Sequence, residues 1–152
     1  MTTRRDALKQ SLTLAGLLGA TGLFPQYAFA GFNRNAFDAK TVNDTLKAYG
    51  ASAPVESKDV TLTAPDIAEN GAVVPMTAAS TLPGVKHLLV MVEKNPNTLV
   101  AKFDVSDAVE PSFATRAKMG QTSDVYAVAI TADGKAFYAK KEVKVTLGGC
   151  GG

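Results

Sequence analysis

Cysteine and histidine occur once each among the 152 residues, and tryptophan does not occur. One cysteine cannot form an internal disulfide, so any disulfide of this chain is intermolecular. One cysteine and one histidine cannot close a metal site, which needs several converging ligands; no metal and no other cofactor is expected. Lacking tryptophan and a second cysteine, the chain has no disulfide-pinned core of the antibody type. With no Cys-x-x-Cys pair, a stand-alone thiol oxidoreductase is disfavoured. Net charge is scarce too. Setting aside Arg4, Arg5, Lys9 and Asp6, the 16 basic and 14 acidic residues become 13 of each. Residues 31–152 are therefore formally neutral and carry no polybasic field for nucleic acid or anionic lipid. What remains is ordinary globular composition, 46% hydrophobic and 20% charged, at a length that supports one domain.

The longest mildly apolar stretch, Ser11 to Phe24, is too short to span a bilayer comfortably and is interrupted by Gly16, Gly19 and Gly22. It follows Thr3-Arg4-Arg5-Asp6-Ala7-Leu8-Lys9, close to a twin-arginine export pattern, with Ala7 where phenylalanine is usual. Ala28-Phe29-Ala30 supplies an A-x-A cleavage signature. Residues 1–30 therefore read as a removed twin-arginine signal with arginines Arg4 and Arg5 and cleavage at Ala28 and Ala30. The expected location is the periplasm, with no membrane anchor left on the chain. This route exports folded proteins. For a domain without a cofactor, one reason to use it is a partner subunit that leaves the cell bound to this one.

From Asn33 to Tyr49 apolar residues recur at three- and four-residue spacing (Phe37 or Ala39, Val42, Leu46, Tyr49) and Gly50 follows. This predicts an amphipathic helix ended by glycine, laid against its own sheet rather than presented to a partner. After Ala51-Ser52-Ala53-Pro54 the pattern changes to short alternating runs over 59–63, 72–77, 85–93, 98–105, 112–118, 124–131 and 136–147. Turns are signalled by Asn70-Gly71, Pro83-Gly84 and Asn95-Pro96-Asn97, and Asp133-Gly134 marks a hairpin. Pro75 cannot donate to a ladder and points to a sheet edge or a bulge. The fold class is mainly β: an immunoglobulin-like antiparallel β-sandwich over 51–147 with an N-terminal α-helix over 31–50. Leu88-Leu89-Val90-Met91-Val92 is apolar on both faces, so either the helix or another subunit must cover its second face. Val73-Val74 raises the same question on a smaller scale.

The last five residues, Gly148-Gly149-Cys150-Gly151-Gly152, set the single thiol between two pairs of glycines. Glycine accepts nearly all backbone conformations, so this stretch reads as a flexible arm with no fixed shape of its own. From Leu147 the thiol reaches about 10 Å at about 3.3–3.6 Å per residue. A self-contained cysteine enzyme needs a base and an orienting group fixed beside the thiol, and four glycines are the wrong support for that. His87, in the middle of a strand, reads as structural. Nothing nearby lowers the thiol pKa, so the ordinary value of about 8.5 is expected. These features describe a covalent carrier and not an enzyme.

With these features in place, the chain resembles the SoxY family, sulfur carriers of bacterial thiosulfate oxidation. The resemblance rests on the terminal Gly148-Gly149-Cys150-Gly151-Gly152, the twin-arginine leader, the sandwich-like body and the segment from Ile67 to Pro75 (IAENGAVVP). It implies that Cys150 is the covalent attachment site. It implies a heterodimer with a SoxZ-like β-sandwich subunit, and turnover by a haem sulfurtransferase, a sulfate thiohydrolase and a sulfur dehydrogenase. Two alternatives stand beside it. A periplasmic Ig-like binding or structural module would use Cys150 for an intermolecular disulfide. A ubiquitin-like carrier activated at a terminal Gly-Gly carboxylate would need ATP, which the periplasm lacks.

Overall fold

The computed structural model describes residues 33–146, together with Lys9 and Thr13. The chain divides into two units, Met1–Phe32 and Asn33–Gly152. The export signal (Arg4, Arg5), the cleavage site (Ala28, Ala30) and the arm (Gly148, Gly149, Cys150, Gly151, Gly152) lie outside the described residues.

The predicted single helix is two: α1, Arg34–Asp38, and α2, Val42–Ala48. The break comes from capping chemistry. Thr41 adopts an extended conformation and its hydroxyl accepts from the Asp44 N–H at 3.1 Å, an N-cap that opens a new helix. The freed Ala39 carbonyl accepts from the Thr98 N–H at 3.2 Å, tying the break to the sheet. Gly50 ends α2 as expected, at φ 67°. Its N–H donates to Lys47 O at 2.9 Å and that of Ala51 to Leu46 O at 3.0 Å, the two bonds of a Schellman motif. The Asn33 side chain, which caps α1, also donates to the Ala48 carbonyl at 2.7 Å and so holds the two helices together.

Nine strands follow: β1 (Val55–Glu56), β2 (Val60–Thr63), β3 (Ile67–Ala68), β4 (Val74–Ser80), β5 (Val85–Val92), β6 (Leu99–Asp104), β7 (Ser112–Ala117), β8 (Ser123–Thr131) and β9 (Ala136–Val145). The larger sheet runs β1-β9-β8-β5-β6, with β3 also on β9; the smaller is β2-β4-β7. The long strands pair antiparallel, whereas the two-residue strands β1 and β3 pair parallel to β9. Asp133-Gly134 makes the β8–β9 hairpin, with Gly134 at φ 79°. Pro75 lies where β4 has lost one neighbour. The β2 ladder stops at Thr63 opposite Thr77, leaving only β7 beside Pro75, so the position is a local edge.

Two apolar layers result. Between the sheets, Val60, Val74, Met76 and Ala78 meet Leu88, Val90, Val92, Val125 and Val143. On the other face of the large sheet Leu89, Met91, Val128 and Ile130 are covered by Ala36 and Leu46 of the helices. The doubly apolar strand is therefore covered by its own chain, at about 1.5–3 kcal/mol for each large side chain fully buried. Val74 joins the sandwich core, while Val73 stays 52% exposed. No helix among the described residues is long and apolar enough to cross a membrane.

Candidate functional site: the root of the C-terminal arm

Cys150 follows β9 closely in sequence, so what the structure supplies is the place from which the arm starts. β9 outruns β8: the ladder between them ends at Ser123 opposite Val143. A strand end projecting past its neighbour frays unless its donors find other partners. Here they do. Pro65 follows the end of β2, and the chain then crosses to lie beside β9 as β3, with Ile67 opposite Lys144 and Ala68 opposite Val145. The Lys144 N–H donates to Asp66 O at 3.0 Å and the Thr146 N–H to Ala68 O at 3.2 Å. The intervening Val145 N–H points the other way, where β8 has not yet begun. It donates to the Thr122 hydroxyl at 3.0 Å.

Below this strand end lies Gly71. Its φ is not in the left-handed region, so its need for glycine is one of space. A Cβ there would overlap the Met119 carbonyl oxygen and sit 2.8 Å from Val145 Cγ1. The Met119 N–H also donates to Gly71 O at 2.7 Å. Asn70 shapes the approach, its side-chain oxygen accepting from the Ala72 N–H at 2.9 Å. Lys141 Nζ is 2.8 Å from Asp66 Oδ1 and donates to Ala64 O at 2.6 Å. The Lys141 hydrogen bond and charge, aided by Lys144, hold the Asp66 carboxyl below its ordinary range. Sequence reasoning took Asn70-Gly71 for a turn, which it is, and missed the contact with Val145. The one signal was that this segment carried a family resemblance without an evident reason.

The ionisable groups gather elsewhere. His87 Nδ1 is 2.7 Å from Asp104 Oδ1, and Lys102 Nζ is 2.7 Å from the same oxygen. The Tyr49 ring lies 5.9 Å from the His87 ring and 5.7 Å from Lys102 Nζ. The Lys102 hydrogen bond, joined by that from His87, depresses the Asp104 carboxyl; burial, then Asp104, raises the Tyr49 hydroxyl. His87 stands opposite Ile130, which stands opposite Ala136, at the start of β9. The ten residues of β9 separate it from the arm's root, about 30 Å at about 3.3 Å per residue. Four residues from Thr146 to Cys150 span at most about 14 Å. The chain's histidine therefore cannot serve its own thiol. Among the described residues no three His, Cys, Asp or Glu side chains gather as metal ligands.

The family described as sulfur oxidation protein SoxY matches residues 45–150. The sulfur carrier protein SoxY from Chlorobium limicola f thiosulfatophilum is similar in structure, with TM-score 0.64 and 35% identity over 70% of this chain and 97% of that one. A superoxide reductase (neelaredoxin) variant from Ignicoccus hospitalis matches with TM-score 0.51 and 15% identity, over 57% of this chain and 79% of that one. At that identity the likeness is one of fold alone. No curated protein matches the chain.

Proposed function

The chain belongs to the SoxY family of sulfur oxidation proteins, and from that premise we propose that it is a sulfur carrier, loaded covalently on Cys150. The observation that carries this reading is the location of the only thiol, five residues beyond the end of a strand fixed on both sides. The ionisable cluster is out of its reach, so activation falls to the enzymes that receive the arm. Gly148, Gly149, Gly151 and Gly152 give the thiol a tether without side chains, able to enter active sites of different shape. Joining the thiol to thiosulfate releases one proton and two electrons, which a haem sulfurtransferase accepts. Water then releases sulfate from the terminal sulfonate at a thiohydrolase, leaving a persulfide that a sulfur dehydrogenase oxidises. A cargo that stays attached throughout keeps a high effective concentration between steps.

The twin-arginine leader, with cleavage after Ala30, supports a periplasmic location for this work and a SoxZ-like subunit exported together with the chain. That subunit is not needed to cover Leu89 and Met91, which the helices bury. The test is the intact mass of the mature protein from its native periplasm, before and after reduction, with Cys150→Ser as control. Reducible sulfur adducts confined to Cys150 are expected. A bare thiol or only a symmetric disulfide, even after incubation with thiosulfate and the pathway enzymes, would overturn the carrier in favour of a disulfide-linked binding module.

A further inference from the structure

We propose that the segment Asp66–Gly71, together with Thr122, is an anchor that sets the point from which the arm starts, with Thr122 and Gly71 as positioning residues. The inference rests on the carrier reading of Cys150. Tether length is the quantity at stake. Past Val143 the last residues of β9 have no partner in β8, and every donor from Lys144 to Thr146 is taken by this anchor: Asp66 O, Thr122 Oγ1 and Ala68 O. Were they free, the tether between fixed backbone and thiol would lengthen from four residues to about seven, each adding about 3.5 Å of reach. Effective concentration falls roughly as the −3/2 power of tether length, so the thiol would be diluted about twofold at any one active site. The close approach of Gly71 to Val145, which leaves no space for a Cβ at that glycine, packs the anchor against the strand end. The family-like run from Ile67 to Pro75 thereby gains a physical purpose, because it brackets the root of the arm.

Thr122 isolates this role, because valine keeps the shape and removes the hydroxyl whereas serine keeps the hydroxyl. In Thr122→Val the Val145 amide loses its acceptor, and its hydrogen exchange should quicken about five- to tenfold, the worth of one ordinary hydrogen bond. Lys144 and Thr146 keep their bonds to Asp66 O and Ala68 O, so the strand end is freed only part of the time. Loading of thiosulfate onto Cys150 by the haem sulfurtransferase should therefore show an apparent KM for the carrier raised about 1.5-fold, short of the roughly twofold rise of a fully freed end, with kcat unchanged. Thr122→Ser should restore both. A second variant leaves the anchor alone: two glycines inserted between Leu147 and Gly148 should raise KM to a similar degree without changing Val145 exchange. If Thr122→Val exchanges faster yet loads with the wild-type KM, the hydroxyl is merely structural and the proposal fails. It fails equally if the glycine insertion has no effect on KM. Should the wild-type chain never load sulfur on Cys150, the carrier reading is what falls, while the exchange data still report on the anchor.

Discussion

Level with the start of β9, but on β5 and β6, a histidine and a lysine share a carboxylate beneath a tyrosine ring 5.9 Å from the histidine ring; at the end of β9 stand a glycine, a threonine and a row of backbone amides. By the usual signs of chemistry the first group is the richer site. Yet the thiol belongs to the second, and about 30 Å of strand keeps the two apart. The ionisable group stabilises a sheet edge, where His87 and Lys102 share Asp104 across β5 and β6. The bland group does something the rich one cannot, which is to hold a backbone still at the point where a tether leaves it. For a carrier such as we propose, whose chemistry would be done by others, fixed geometry at the tether's root matters more than reactive side chains elsewhere.

That contrast can be broken at either end. The largest effect is expected from Gly71→Val, whose side chain must displace the Met119 carbonyl or the Val145 side chain. Overpacking of this kind costs about 1–3 kcal/mol, a fall in Tm of about 5 °C or more, and exchange should quicken first at Val145 and Thr146. An unchanged Tm would mean that the close approach is not confining. At the opposite end His87→Gln should do little: about 0–1 kcal/mol for a contact to a largely exposed carboxylate, and sulfur loading within about twofold of wild type. A tenfold loss of loading there would reverse the comparison and make the ionisable cluster part of the reaction. The smallest effect is a pH dependence at the root. The folded Asp66 carboxyl is depressed chiefly by Lys141, so its tie to Lys141 is present above the ordinary carboxylate value of about 3.9. It is lost as pH falls through the lowered one. Lys144 amide exchange should therefore be insensitive to this group near neutrality and quicken only in acid. Asp66→Asn should remove that acid step, and its persistence would assign it to another carboxyl.

How much of this could be read beforehand depended on how far apart the cooperating residues are. Alternation over 85–93 and 98–105 located β5 and β6 to within a residue, because period-two burial is written into each strand. The Asp133-Gly134 hairpin and the Gly50 stop were equally local. The helix break at Ala39–Thr41 had its own signal, a threonine three residues before an aspartate, but the apolar spacing ran on across it and concealed the boundary. β1 and β3 have two residues each, too few for any periodicity, and exist only because β9 offers them a free edge. The anchor was the least legible part. Gly71 declares a turn through Asn70, but its second duty depends on Met119 and Val145, which only the assembled fold brings beside it. The thiol rests on the sequence throughout: one cysteine, with glycines on both sides of it, outside the described residues.

β9 is gripped along both flanks, by β8 from Ala136 to Val143 on one side and by β1 and β3 at its two ends on the other. Inter-strand hydrogen bonds run across the strands, so a pull on the arm along β9 loads them sideways and together. The strand is hauled in shear, not peeled open like a zipper. On the carrier reading proposed above, an enzyme that drew a loaded Cys150 into a narrow channel would exert such a pull. The pairing of β9 would share such tension across the whole sheet and spare the body of the domain from unravelling.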